Sequence, residues 1–171
     1  MAQDEQQITG HAVTIGDNIS ANEILSPEFY GEGEEALTPS LAFATSDINL
    51  SAEGEIILVT GSNFAHGSVN ESVVTALQNT GAKAIVGSEF PQYFYRNALN
   101  LGLPVLVAPD AASEIKSGQT LEIDTKTGSI TMIESGREYQ SEERPDFITR
   151  LMEMQGVTGY IRALKSQEAG E

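Results

Sequence analysis

The residues best suited to chemistry lie in one loop, Gly61 to Glu71, between an apolar run and a helical pattern. Ile56 to Val59 predicts a buried strand, and the apolar spacing over 73–77 predicts a helix that stops at Thr80-Gly81. Glycine lets backbone approach a ligand, and a helix N-terminus offers unpaired N–H groups and partial positive charge to an anion. Ser68 stands where a hydroxyl would face that anion. The loop therefore indicates a small anionic ligand.

The loop sequence alone leaves more than one interpretation open. It is not a Walker A motif, because no lysine follows Gly67, and the spacing of Gly61 and Gly67 does not fit a Rossmann fingerprint. An ordinary helix cap, in which Ser68 or Asn70 accepts from first-turn N–H groups, competes with ligand contact. A hydrolase pair of His66 and Ser68 is disfavoured, because triad members usually lie far apart in sequence and need an orienting acid.

Two other groups of residues are candidate sites. Arg96 follows Tyr93-Phe94-Tyr95 in a second predicted helix, where packing plus a surface ion pair is favoured over a role in a site. Four glutamates at positions 28, 32, 34 and 35 lie in a loop over 26–40. They lack the regular ligand spacing of a calcium site, so a solvated acidic loop is favoured over a metal site.

Composition restricts the class of protein. The 171 residues predict one domain over 1–171, with an ordered core at about 8–165. Nine basic residues against 25 acidic ones give a formal charge of −16, which argues against nucleic-acid and membrane-surface partners and is typical of a very soluble protein. The chain has no cysteine and only two histidines, so we expect no metal site and no disulfide. With no signal peptide or apolar run of membrane length, we expect a cytoplasmic protein.

The wider pattern predicts the elements that position the loop. We expect strands at 11–15, 56–60, 83–87 and 104–107, a helical turn at 22–25, and helices at 70–79, about 91–100 and near 111–116. The strand, helix and strand around the loop predict a parallel βαβ unit. Alternating residues about Lys126-Thr127-Gly128 predict a hairpin with one buried face, and 145–165 predicts an amphipathic helix broken at Gly156. Residues 41–55 are ambiguous.

Several of these segments, taken in chain order, carry a family resemblance. The chain has Gly16-Asp17-Asn18-Ile19, then Gly61-Ser62-Asn63-Phe64 and Gly67-Ser68, then Phe94-Tyr-Arg-Asn-Ala-Leu-Asn-Leu-Gly-Leu-Pro104, and closing helices over 147–164. These blocks resemble the small subunit of 3-isopropylmalate dehydratase and homoaconitase, which is the swivel domain of the aconitase superfamily. The likeness covers roughly residues 8–165.

The resemblance implies a fold and a function. The fold would be α/β, an aconitase-type swivelling β/β/α domain with a parallel βαβ core and a C-terminal β-hairpin. The family's small subunit pairs with a large subunit that holds a 4Fe–4S cluster on its own cysteines. Together they are hydro-lyases of amino-acid biosynthesis that dehydrate and rehydrate a hydroxy di- or tricarboxylic acid. This chain would therefore hold no cofactor itself and would meet a small anionic hydroxy acid.

The resemblance also implies roles for individual residues. The family's matching serine is Ser68, which would act as an alkoxide base and remove the proton next to a substrate carboxylate. The helix N-terminus and adjacent N–H groups can offset part of the cost of that alkoxide. Substrate contacts would come from residues around the loop and from two other segments, namely Gly67, Val69, Asn70, Tyr30 and Arg96.

Departures from the family pattern bear on the substrate. Val69 replaces a second serine, Asn70 replaces a substrate-binding arginine, and Asn22 replaces an aspartate. The segment 89–92 replaces the usual Ser-Phe-Ala-Arg, and the loop that sets substrate choice, about 27–35, carries glutamates and no cation. We therefore expect an altered substrate preference. One alternative is an inactive paralogue that serves as a binding or assembly subunit, and another is a stand-alone anion-binding domain.

Overall fold

A mixed β-sheet is the framework of the molecule. The computed structural model describes residues 6–48, 50, 54–67 and 70–169. Within these ranges the strands are β1 (Gln7–Ile15), β2 (Ile56–Thr60), β3 (Ala82–Gly87), β4 (Val105–Val107), β5 (Thr120–Asp124), β6 (Ser129–Met132) and β7 (Arg137–Gln140). They form one seven-stranded sheet in the order β4-β3-β2-β1-β5-β6-β7. The earliest strand in the chain therefore lies at the centre of the sheet.

Helices and short 3₁₀ turns cover the sheet. The α-helices are α1 (Ala21–Ile24), α2 (Glu71–Asn79), α3 (Gln92–Asn100), α4 (Pro109–Glu114), α5 (Asp146–Glu153) and α6 (Val157–Glu168). The 3₁₀ turns are Pro27–Phe29, Glu34–Ala36 and Pro39–Leu41, all in the long loop between β1 and β2. Gly156 separates α5 from α6 with a φ of 94°, a conformation open to glycine, and this confirms the predicted break.

The parallel half of the sheet matches the prediction. β1, β2, β3 and β4 pair in parallel, with registers such as His11 opposite Ile56 and Ile85 opposite Val105. Every residue of β2 is buried, as its continuous apolar run predicts. Helix α2 connects β2 to β3, and α3 connects β3 to β4. The predicted βαβ core is therefore confirmed.

The antiparallel half extends the sheet on the other side of β1. β5 pairs with β1, β6 with β5, and β7 with β6, all antiparallel. Alternate residues of β5 and β6 are buried, so the hairpin with one buried face is confirmed. Strand β7 was not predicted, and the predicted start of β1 at residue 11 is wrong, because β1 begins at Gln7. Helix α4 begins at Pro109, slightly before the predicted start near 111.

Two hydrophobic cores lie against the sheet. The first joins the β1 to β3 strands to α1, α2, α3 and the long loop, with fully buried Phe64, Leu58 and Leu77 among its members. The second joins the strands to α4 and the hairpin, with buried Val59, Leu121 and Ile130. Among the described residues, no helix is both long and apolar enough to span a bilayer.

Candidate functional site

Two loops meet at the carboxyl ends of β1 and β2. The loop after β1 and the loop after β2 continue the parallel pairing of their strands, because the Asn18 N–H donates to Ser62 O at 2.8 Å. Farther along, the His66 N–H donates to Ile19 O at 3.3 Å and the Ala21 N–H donates to His66 O at 2.8 Å. These backbone hydrogen bonds hold the two loops side by side. In α/β sheets with parallel strands, this end is where ligands bind.

Asp17 and Gly61 fit against each other at the start of these loops. The Ser62 N–H donates to Asp17 Oδ1 at 2.8 Å, and the Ser62 hydroxyl lies 3.4 Å from the same oxygen. A Cβ atom on residue 61 would overlap Asp17 Oδ1. Residue 61 therefore must be glycine for the Asp17 carboxylate to reach the second loop.

The paired loops contain several residues with left-handed backbone. Asn18, Asn63 and Ala65 have φ values of 59°, 56° and 62°, and Gly67 has 87°. The Asn63 side-chain amide donates to Asn18 Oδ1 at 2.8 Å, which ties two of these positions together. Non-glycine residues adopt this region at a cost, and such residues cluster at ligand sites. The paired loops are therefore the strongest candidate site in the described chain.

The second loop ends at the N-terminus of α2, where Asn70 is the cap. The Ser72 N–H donates to Asn70 Oδ1 at 2.9 Å, so the helix-cap interpretation is confirmed for Asn70. Gly67 is exposed, and its backbone is accessible to a ligand. The predicted base Ser68 and its neighbour Val69 lie outside the described residues, so their assigned roles stay predictions.

Phe64 anchors the loop in the core. Its side chain is fully buried and its ring meets that of Phe94 on α3 edge-on, with centroids 5.5 Å apart. Phe94 in turn stacks on Phe90 at 6.1 Å. The apolar contact fixes the position of the polar loop and joins it to α3.

The long loop between β1 and β2 folds back onto the same helix N-terminus. The Gly31 N–H donates to the Ser72 hydroxyl at 3.0 Å, and the Tyr30 hydroxyl donates to Asn22 Oδ1 at 2.7 Å. Tyr30, a predicted substrate contact, is thus held by α1, and Asn70 and Gly31 both bond to Ser72. Ser72 was not predicted as a site residue, because the Gly31 N–H that donates to its hydroxyl lies 41 residues away in the chain.

A cavity of about 860 Å³ lies between this loop and α2. Its described lining comprises Gly31, Glu32, Glu34, Asn70, Glu71, Ser72, Thr75, Gln78, Asn79 and Leu101. Three carboxylates face the cavity, and none of these lining residues is cationic. Two of the acids, Glu32 and Glu34, belong to the loop over about 27–35 to which the family resemblance assigns substrate choice. The structure places both beside Asn70.

A capping box holds α1 next to the paired loops. The Ser20 N–H donates to Glu23 Oε2 at 2.7 Å, and the Glu23 N–H donates to Ser20 Oγ at 3.2 Å. The hydrogen bonds from the backbone and hydroxyl of Ser20 hold the pKa of Glu23 below its ordinary value, with a smaller contribution from His66. The His66 ring lies 3.3 Å from Asn18 O. His66 therefore supports the loop architecture through its backbone and ring.

Arg96 lies away from the Asn70 cavity. Its exposed side chain lines a second cavity of about 660 Å³, between α3 and α5, that shares no lining residue with the first. Within the described ranges Arg96 has no carboxylate at ion-pair distance, so the surface ion pair favoured from sequence is not formed there. Its predicted substrate contact stays a prediction, and the described residues do not bring it to Asn70.

Metal-binding groups are missing from the described part of the chain. No three His, Asp or Glu side chains in that part are grouped to hold a metal ion, and the full sequence contains no cysteine. The chain therefore offers no thiolate for an iron–sulfur cluster.

Comparisons with known proteins agree on one family. The profile of the aconitase C-terminal domain matches residues 1–110. The chain is 30% identical over 157 residues to the 3-isopropylmalate dehydratase small subunit of Clostridium beijerinckii, covering 91% of this chain and 98% of that protein. It is 29% identical over 156 residues to the 2,3-dimethylmalate dehydratase small subunit of Eubacterium barkeri, covering 90% and 96%. The crystal structure of 3-isopropylmalate dehydratase from Methanocaldococcus jannaschii matches with a TM-score of 0.83 and 28% identity, covering 96% and 98%.

Proposed function

The chain belongs to the aconitase C-terminal domain family, among the dehydratase small subunits, and from that premise we propose that it is the small subunit of a two-subunit hydro-lyase. With a large subunit it would dehydrate and rehydrate a hydroxy di- or tricarboxylic acid. The observation that carries this proposal is the pair of loops at the carboxyl ends of β1 and β2, which leads directly into the capped N-terminus of α2. The resemblance drawn from the motif blocks and the expected α/β fold are both confirmed.

Ser68 is the proposed base. Its oxygen would take the proton from the carbon next to a substrate carboxylate, and the electron pair left on that carbon would form the double bond as the hydroxyl departs. The adjacent N-terminus of α2 supports the role, because its N–H groups and partial positive charge stabilise negative charge. A 4Fe–4S cluster on the large subunit would supply Lewis acidity toward the departing hydroxyl.

The residues of this chain would bind the substrate through backbone groups more than through charged side chains. Gly67 offers exposed backbone, and Asn70 replaces the arginine of the family pattern. Asparagine cannot make the bidentate, charge-assisted contact that arginine makes with a carboxylate. That loss amounts to roughly 1.5–3 kcal/mol of binding, or about one to two decades in affinity. Together with Glu32 and Glu34 in the neighbouring cavity, it supports a substrate with fewer or differently placed carboxylates.

A second candidate function is an inactive paralogue that assembles with a large subunit without catalysis. The lack of a cation among the described lining residues of the Asn70 cavity favours it. The presence of serine at position 68 favours the enzyme. The two candidates differ in turnover and agree in assembly, so one reconstitution separates them.

The test is co-expression with a candidate large subunit from the same genome, anaerobic reconstitution of the cluster, and measurement of unsaturated-acid absorbance over a panel of hydroxy acids. Ser68→Ala should lower kcat by about 10²–10⁴-fold and leave assembly intact, because it removes only the base. Ser62→Ala is the matched control, because it removes a serine hydroxyl from the same loop. The substitution keeps the backbone N–H of residue 62, which makes the shorter of the two hydrogen bonds to Asp17. Full activity of Ser68→Ala would rule out the base, and a stable wild-type complex without turnover would favour the paralogue.

A further inference from the structure

One side of the molecule exposes several large apolar side chains. Among the described residues, the large apolar side chains that are most exposed include Tyr93 on α3 (64%), Phe147 on α5 (53%), and Ile161 and Leu164 on α6 (46% and 44%). We call the surface of α3, α5 and α6 the helical face. Contiguous exposed apolar patches on soluble proteins mark interaction sites.

The apolar residues of α6 form a stripe that the chain itself covers only in part. Val157, Tyr160, Ile161 and Leu164 follow the i, i+3, i+4, i+7 spacing of one helix side, yet no residue of α6 is buried. The ring of Phe147 meets Tyr160 edge-on at 5.7 Å. The stripe is therefore continuous with α5, while Ile161 and Leu164 remain open to solvent.

The helical face also differs in charge from the rest of the chain. The three helices α3, α5 and α6 carry four Lys or Arg and three Asp or Glu, whereas the whole chain carries 9 and 25. The excess of acid therefore lies outside this face. A charge-balanced apolar surface on an otherwise strongly acidic protein can approach another protein without strong repulsion.

The helical face adjoins the candidate site through α3. Phe94, on the inner side of α3, contacts Phe64 of the site loop, while its neighbour Tyr93 points outward. Between α3 and α5 a groove of about 660 Å³, lined by Tyr95, Leu99 and Phe147 among others, can receive a side chain of another protein. Helix α3 therefore supports the site loop on its inner side and forms part of the helical face on its outer side.

We propose that the helical face is the surface that docks the large subunit of the dehydratase, an inference that rests on the proposed function. A second copy of this chain is the competing occupant. It would bring a further charge of −16 against the −16 of the first copy, and this repulsion opposes association. The relatives are named small subunits, and a large subunit is the partner that this naming implies.

The test compares two charge substitutions at residues of similar exposure, Leu164 at 44% and Ile133 at 50%. Leu164→Glu places a charge on the helical face, and Ile133→Glu does the same between β6 and β7, where Ile133 is 50% exposed. We expect Leu164→Glu to weaken the complex with the large subunit by about tenfold or more. Ile133→Glu should leave the dissociation constant within about twofold. Affinity is measured by titration of the reconstituted large subunit, with thermal unfolding of each variant as the folding control.

The readouts separate failure of the docking surface from failure of the proposed function. At saturating large subunit, Leu164→Glu should recover the wild-type kcat, because it contacts no substrate. An unchanged dissociation constant for Leu164→Glu in an active complex overturns the docking surface alone. A wild-type chain that binds no large subunit overturns both. If Leu164→Glu abolishes self-association in sedimentation and leaves the large-subunit complex intact, the face belongs to a second copy and the proposal is wrong.

Discussion

At the scale of single residues, Asp17 and Gly61 determine whether the two site loops can pair. Gly61→Ala would set a methyl group onto Asp17 Oδ1 and displace the carboxylate from the Ser62 N–H. We expect a loss of about 1–3 kcal/mol in the free energy of unfolding, the range for overpacking. Urea denaturation of the isolated chain measures it.

The matched control is Gly16→Ala in the partner loop. A Cβ atom there has nothing within 4 Å, so we expect a change of less than about 1 kcal/mol, with a gain arising from the unfolded state. Adding Asp17→Ala to Gly61→Ala should recover part of the lost stability. Equal effects of the two glycine substitutions would show that the contact with Asp17 does not constrain residue 61.

At the scale of elements, the capping box of α1 predicts a pH dependence. The hydrogen bonds from Ser20 hold the folded pKa of Glu23 below its ordinary value, so the folded protein binds fewer protons than the unfolded chain between the two values. The stabilisation is therefore complete above the ordinary pKa of Glu23 and is lost as pH falls through the folded value. We expect Glu23→Gln to reduce the free energy of unfolding at neutral pH. We also expect its free energy of unfolding to fall less steeply than that of wild type as the pH becomes acidic.

Stability of wild type and Glu23→Gln is compared by denaturant titration from neutral to acidic pH. Glu138→Gln, an exposed carboxylate on β7, changes net charge equally and is the control. If the free energy of unfolding of Glu23→Gln changes with pH in parallel with that of wild type through the acid range, the proposed contribution of the ionised Glu23 carboxylate to the capping box is wrong.

Elements with a continuous apolar run or a full helical period were predictable, and weaker ones were not. The buried run of β2 and the spacing of α2 and α3 placed the predicted βαβ unit and helix α3 close to their observed bounds. β7 escaped prediction because only Tyr139 of its residues is buried, which leaves no alternation to detect. The first residues of β1 are held by their pairing with β5, and Gln7, for example, lies opposite Asp124. Pairing with a strand so distant in the chain leaves no local pattern of apolar residues that would predict it.

The candidate site was predictable in its local features and not in its tertiary contacts. The residue types predicted the glycine loop followed by a helix N-terminus. They also allowed a helix cap at Asn70, which the structure confirms. The contacts of Gly31 with Ser72 and of Tyr30 with Asn22 depend on how the long loop returns to α2 and α1. Polar residues in such a loop have many possible partners, so only the tertiary fold selects one.

At the scale of the whole molecule, the charge of −16 opposes the entry of an anionic substrate. Salt screens this repulsion, so we expect KM for a dicarboxylate to fall as ionic strength rises. Glu32→Gln/Glu34→Gln removes two carboxylates from the cavity wall. It should lower KM at low salt by about 2- to 5-fold and weaken the salt dependence.

Steady-state kinetics of the reconstituted complex at several salt concentrations measure this effect. Glu122→Gln/Glu138→Gln, with its substitutions on β5 and β7, removes the same charge at a distance from the cavity and is the control. If both double variants lower KM equally, the net charge of the molecule and not the acidic loop governs substrate entry.

The central position of β1 has a consequence for how the chain matures. β1 pairs with β2 on one side and with β5 on the other, so its second set of backbone partners is complete only after residue 124 has been synthesised. Pairings between distant positions form slowly, because loop-closure entropy must be overcome first. Until then the strand presents unpaired N–H and C=O groups, which favour aggregation of the nascent chain. Synthesis of the hairpin that contains β5 is therefore the step that pairs the second edge of β1. If translation stalls before this step, the nascent chain keeps an unpaired strand edge that favours aggregation.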